Sequence, residues 1–223
     1  MRSSSTARRS PAEARAVRDL GAIKKFIAPL APPVYAFEAS MRSTPFRILI
    51  SVLLSARTQD AVTASAAARL FAAAATPRKM ARLSRAEVER LIYPVGFYRT
   101  KAEHILKICA ALGRGGKFPA TLEELLELPG IGRKSANLVL ALAFARAAIA
   151  VDTHVFRIAR RLGWAEGRSP AEVEGELQCL FPRRRWAQVN QVLVGFGQTV
   201  CRPLGPKCPV CVLKKTCPSA NIK

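Results

Sequence analysis

No stretch of this 223-residue chain reaches the ~20 consecutive apolar residues that a membrane span needs. The opening residues, MRSSSTARRSPAEAR, hold no hydrophobic segment, so a secretory signal is not expected. Rich in arginine and serine and poor in acids, residues 1–13 read as a short disordered basic arm, with a transit peptide as the alternative. Without an export signal the expected compartment is reducing. The six cysteines then read as metal ligands or core residues rather than disulfides. Alternating strand patterns are also missing; Ala147 to Val151 is the single hint of one, and no long-range repeat is visible. The fold class expected is therefore all-α, with short loops between helices.

Acidic residues are scarce. The chain has 15 Asp and Glu against 36 Lys and Arg, a net charge of +21. Three arginines against Glu13 leave only +2 on the first thirteen residues, so +19 belongs to the remainder. A body this basic points to a polyanion, with nucleic acid first. There are only three aspartates, Asp19, Asp60 and Asp152, and two histidines, His104 and His154. Half of the residues are hydrophobic, enough for a substantial core in one large or two small domains.

Helical patterns account for most of what is present. Val17, Leu20, Ile23 and Ile27 recur at helical spacing, giving a helix over 14–30 closed by the prolines at 29, 32 and 33. FRILISVLLSA, residues 46–56, reads as a buried helix, followed by the polar segment Arg57-Thr58-Gln59-Asp60. Further helices are expected over 61–75, from Thr76-Pro77, and after Ser84, where Glu87 completes a capping box. Residues 94–98 read as a loop, 100–112 as a helix and 113–119 as a linker. Later helices cover 152–162, run from Ser169-Pro170 to about Phe181, and cover 186–200; the tail beyond Cys201 should be irregular.

The densest signal runs from Thr121 to Arg157. Thr121 with Glu124 starts a short helix whose apolar face is Leu122, Leu125, Leu126 and Leu128. Pro129-Gly130-Ile131-Gly132 forces a hairpin, and a second helix begins near Arg133. Glycines at a helix mouth let backbone N–H groups approach an anion, and the helix dipole favours negative charge there. Lys134 follows at once: either a phosphate ligand or, as a free amine beside a helix N-terminus, a nucleophile. Asp152 precedes an amphipathic helix, which suits an N-cap and also a carboxylate able to stabilise positive charge. His154 either faces nucleic acid or packs under that helix. Finally Cys201, Cys208, Cys211 and Cys217 are spaced C-x6-C-x2-C-x5-C, four thiolates for one centre, zinc or iron–sulfur. Cys109 and Cys179 lie in apolar helical segments and read as core.

LPGIGRKSA, VDTHVFR and the four late cysteines together resemble the endonuclease III family of DNA glycosylases, over about Pro45 to Cys217. The resemblance implies a two-domain helix-hairpin-helix glycosylase fold with a C-terminal [4Fe–4S] loop. A six-helix barrel would span 36–147, and a discontinuous iron–sulfur domain would join 14–35 to 148–223. It implies a monomeric, bifunctional glycosylase and abasic-site lyase of base excision repair, removing oxidised pyrimidines from double-stranded DNA. The compartment would be the cytoplasm or nucleoid in a prokaryote, and the nucleus or an organelle in a eukaryote. Lys134 would form a Schiff base and Asp152 would assist it. Gly130, Ile131, Gly132, Arg133, His154 and Lys207 would contact DNA; Phe97 would be an apolar wedge and Arg57 a plug where many relatives have glutamine. Two other readings stand beside this one: a mismatch or adenine glycosylase without lyase chemistry, which Lys134 and the lack of a long additional C-terminal domain oppose, and a non-catalytic helix-hairpin-helix binder.

Overall fold

The structure, a computed structural model, describes residues 10–41, 44–113, 115 and 117–220. Most of the arm expected over 1–13 lies outside them. Its last residues do not extend it: Ser10 caps a helix, α1 (Pro11–Ile27), by accepting from Glu13 N at 3.1 Å, with Pro11 in its first turn. Pro at the first helical position and Ser at the cap are a start signal, which the expectation of a helix from residue 14 overlooked. Among the described residues there are helices and no strands. Ala148 to Val151, within the stretch that hinted at a strand, is buried but forms no strand; Ile149 O accepts from Asn137 Nδ2 at 3.0 Å.

Chain contacts divide the molecule into two compact units, one over Pro33–Ala150 and the other joining the chain up to Pro32 to the chain from Val151 onward. The first unit holds α2 (Pro33–Met41), α3 (Pro45–Ser55), α4 (Asp60–Ala73), α5 (Pro77–Met80), α6 (Arg85–Ile92), α7 (Tyr98–Leu112), α8 (Leu122–Leu126) and α9 (Arg133–Phe144). Its axis is α3, buried nearly all round from Phe46 to Leu54, which explains why its sequence is apolar on every face. Helices α4, α7 and α9 pack on it. Helix α2 was not anticipated: PVYAFEASM is short and shows no polar face to mark a period. The capping boxes at Ser84 and Thr121 are formed as expected, but Leu126 is 42% exposed and only Leu125 of α8 is fully buried.

The second unit holds α1, α10 (Thr153–Arg161), α11 (Pro170–Leu180) and α12 (Trp186–Thr199), followed by the irregular cysteine-bearing tail. Helix α12 is its centre and packs on α1 and α10. Cys109 is buried as expected; Cys179, despite its apolar neighbours, is exposed, because α11 turns Val173 and Leu177 inward instead.

Candidate active site and nucleic-acid interface

The hairpin between α8 and α9 is shaped by one glycine and opened by another. Gly130 has φ +78°, and a Cβ there would meet His104 Nδ1 at 2.3 Å, so only glycine fits. Ile131 closes the turn by donating to Leu128 O at 3.1 Å and is buried, 5% exposed. Gly132 is the N-cap of α9 and exposed, and a Cβ there would meet nothing within 4 Å. No side chain caps this helix and its first turn has no acid, so its leading N–H groups suit an anion. Arg133 is exposed and Lys134 half-buried on that first turn.

Arg57 and Phe97, forty residues apart in sequence, are brought together. The Arg57 guanidinium lies over the Phe97 ring at 5.4 Å, and Phe97 is 60% exposed. Both have left-handed backbones, φ 53° and 57°. For non-glycine residues this is strain, which persists only where surroundings enforce it. Those surroundings include Lys101, a residue the sequence reading passed over. It is 5% exposed, and burial pulls its pKa from the usual 10.5 to about 8. The signal was there: Lys101 shares a helical face with the buried Ile105 and Ile108.

Asp152 belongs to the other unit. It is half-buried and caps α10, Oδ1 accepting from Val155 N at 2.8 Å. His154 is also half-buried; its ring packs where a Cβ on Gly197 would reach 2.3 Å from Nδ1, with Arg157 Nη2 3.3 Å away. The His154 ring therefore lies against α12. The far half of α10 grips the cysteine loop through two further residues missed in sequence. Arg157 donates to Cys201 O at 2.9 Å, and Arg161 to Arg202 O at 2.7 Å, Pro203 O at 3.1 Å and Cys201 Sγ at 3.5 Å. Their i, i+4 spacing behind Asp152 was the available clue.

The four late cysteines, all half-buried free thiols, line one pocket with Phe196, Val200 and Lys214. Burial, then the neighbouring cysteines, push the Cys217 thiol up; Cys211 is raised chiefly by burial, although Leu213 N donates to its sulfur at 3.4 Å. Among the described residues, no three His, Cys, Asp or Glu side chains close on a point as a single ion would require. Lys207, Lys214 and Lys215 are exposed on this loop.

A glycine hairpin with an uncapped helix behind it, an aspartate-capped helix and a four-thiol loop together define a class of DNA repair protein. The HhH-GPD superfamily of base excision DNA repair proteins matches residues 50–183. Endonuclease III of Thermotoga maritima is 46% identical over 175 residues, 78% of this chain and 82% of that protein. Endonuclease III-like protein 1 of Mus musculus is 42% identical over 84% of this chain, which spans 64% of the mouse protein. A solved structure of a trapped endonuclease III–DNA covalent intermediate superposes with a TM-score of 0.83 at 34% identity, over 93% of this chain and 96% of that one. The chain belongs to this superfamily, in its endonuclease III branch: it is a DNA glycosylase and lyase of base excision repair.

Proposed function

We propose that this chain removes oxidised pyrimidines from double-stranded DNA and then cleaves the strand at the abasic site, with Lys134 as the nucleophile. The observation that carries this reading is a half-buried lysine on the first turn of an uncapped helix that opens from a glycine hairpin. Phosphate oxygens accept from the leading N–H groups of α9 and from Arg133, which sets the sugar beside the Lys134 amine. The free amine attacks C1′, the glycosidic bond breaks, and the base leaves with its bonding pair and takes up a proton. Opening of the sugar gives an imine between Lys134 and C1′. That imine acidifies the C2′ proton; its loss expels the 3′ phosphate, and water releases the lysine. Asp152 stabilises the positive charge that develops at C1′ and accepts the proton the amine sheds.

The base must leave the stack before any of this can occur. Phe97 enters the duplex as a wedge, and Arg57 occupies the space beside the orphaned base. Cys201, Cys208, Cys211 and Cys217 hold a [4Fe–4S] cluster. Their shared cavity suits a multi-atom centre, and the Leu213 N–H and Arg161 guanidinium supply donors to thiolate sulfur. When bound, the cluster braces the loop that presents Lys207, Lys214 and Lys215 to phosphates.

The test is reductive trapping. With a duplex carrying one oxidised pyrimidine and borohydride, wild type gives a covalent protein–DNA species and Lys134→Gln does not. Base release without trapping overturns the lyase assignment; neither activity, on abasic DNA as well, leaves a binding module.

A further inference from the structure

Lys101 has no part in the chemistry above, yet it is buried at a junction of two loops. Its Nζ donates to Leu54 O at 2.8 Å, Ala56 O at 2.6 Å and Thr58 Oγ1 at 3.3 Å. An ammonium has three N–H donors, and all three are used. Leu54 and Ala56 end α3, where carbonyls lack helical partners and a cation is favoured. Thr58 Oγ1 accepts a second bond, from Gly96 N at 3.1 Å. Gly96 lies so close to the first loop that a Cβ there would reach 2.6 Å from Arg57 O. One lysine and one threonine therefore stitch the loop carrying Arg57 to the loop carrying Phe97. The approach to the second loop is held separately, by Arg69 Nε donating to Leu91 O at 2.9 Å. Each stitched loop contains one left-handed, non-glycine residue, and these two form the cation–π pair.

We infer that Lys101 is a positioning residue, whose buried ammonium holds Arg57 and Phe97 together in the strained arrangement from which they enter the duplex. The inference rests on the reading of Phe97 and Arg57 as the groups that open DNA. Neither left-handed backbone is favoured by its own residue, so the order must come from neighbours: the ammonium, on the helix that Phe97 caps, binds Leu54 O, Ala56 O and Thr58 Oγ1 on the Arg57 side, and Thr58 Oγ1 carries the link on to Gly96 N. Pre-ordering matters because a misplacement of about 1 Å in such a group lowers rates by on the order of 100-fold.

The experiment compares Lys101→Met, Lys101→Arg and Phe97→Ala on two substrates. The first is an intact duplex with an oxidised pyrimidine beside 2-aminopurine; the second is a single-stranded abasic oligonucleotide, which has no stack to open. Lys101→Met should slow single-turnover excision from the duplex by on the order of 10- to 100-fold and lose the 2-aminopurine fluorescence rise that reports unstacking. Its borohydride trapping on the single strand should stay at the wild-type rate. Lys101→Arg, which keeps the charge and donors, should recover part of both duplex signals. Should Lys101→Met fail to fold, Thr58→Val removes the oxygen shared by Lys101 and Gly96, and the same split is expected in weaker form. Wild-type duplex excision and fluorescence in the Lys101 or Thr58 variant, with Phe97→Ala defective, overturn the inference alone. Normal behaviour of Phe97→Ala overturns the wedge reading, and loss of single-strand trapping by Lys101→Met makes the lysine a general structural element.

Discussion

The two hairpin glycines should separate under mutation, because the structure gives them different reasons to be glycine. At Gly130 an alanine meets two penalties. Its φ of +78° disfavours any Cβ by roughly 1–2 kcal/mol. The new methyl would also lie 2.3 Å from His104 Nδ1, an overpacking that typically costs about 1–3 kcal/mol. At about 2–4 °C per kcal/mol for a chain of this size, Gly130→Ala should lower Tm by roughly 5–15 °C. Adding His104→Ala removes the steric part and leaves the backbone part, so the double variant should regain some stability relative to the sum of the singles. Gly132 is different: no positive φ, and no atom within 4 Å of where an added methyl would sit. The small loss of N-cap quality is offset by reduced freedom of the unfolded chain, so its Tm should move by about 2 °C or less. What Gly132→Ala blocks is the approach of a phosphate to the α9 N–H groups. Losing one charge-assisted hydrogen bond, about 1.5–3 kcal/mol, weakens binding roughly 10- to 100-fold. Scanning fluorimetry reads the first quantity, and anisotropy with a duplex holding an abasic analogue reads the second. If Gly132→Ala binds DNA as wild type does, the hairpin is not the phosphate grip. Equal destabilisation by both alanines would refute the steric argument.

Asp152→Asn should keep the α10 cap, since Asn caps as well as Asp, while single-turnover excision falls by at least about 100-fold; a parallel loss of Tm and activity would reduce Asp152 to a cap. Arg161→Gln removes the bonds to Cys201 Sγ, Arg202 O and Pro203 O and should lower iron per chain and absorbance near roughly 400 nm. Unchanged iron content would show that the loop does not need that grip. Lys101 should give opposite pH signatures. From about pH 8 to 10.5 the unfolded chain binds more protons at this residue than the folded one, so its contribution to stability rises with pH in that window. Over the same window the clamp loses a donor, and duplex excision should decline. Lys101→Arg, charged throughout, should move the decline to higher pH; identical pH–rate profiles for the two proteins would count against the clamp.

What could be read ahead of the structure was local. Ser84, Thr121 and Ser169 each sit three residues before a glutamate, and each starts a helix with both capping-box bonds formed. These signals depend on four consecutive residues and survive any tertiary context. The all-apolar run of α3 likewise announces burial. The failures are where long-range packing decides. Nothing in PVYAFEASM marks one face as inner, and α2 went unseen. Cys179 has apolar neighbours, but helix rotation is set by Val173 and Leu177, which leaves it outside. The left-handed turns at Arg57 and Phe97 carry no glycine or asparagine to announce them, and the bonds that tie their loops, Lys101 to Thr58 and Gly96 to Thr58, join positions 43 and 38 residues apart that no local pattern links.

The same distinction explains where the candidate chemistry lies. Lys134 is on the first turn of α9, Asp152 caps α10, Phe97 caps α7, and Arg57 follows the end of α3. Helix ends are the places where backbone groups lack internal partners, so anions find donors at N-terminal ends and cations find acceptors at C-terminal ends without unfolding anything. They are also where the chain is least determined by its own helical pattern. A repair enzyme of this kind needs both properties: open N–H groups to grip a polyanion, and a few side chains aimed by neighbours instead of by a helix. The two conditions pull apart unless a side chain packed behind them anchors the ends. Here the anchors are His104 behind Gly130, Lys101 behind Arg57 and Phe97, and Arg157 and Arg161 behind the cysteine loop. Each is a polar side chain held in place by backbone acceptors or by a glycine's missing methyl. Substituting these anchors should therefore damage DNA handling before it damages the fold, the reverse of what burial alone implies.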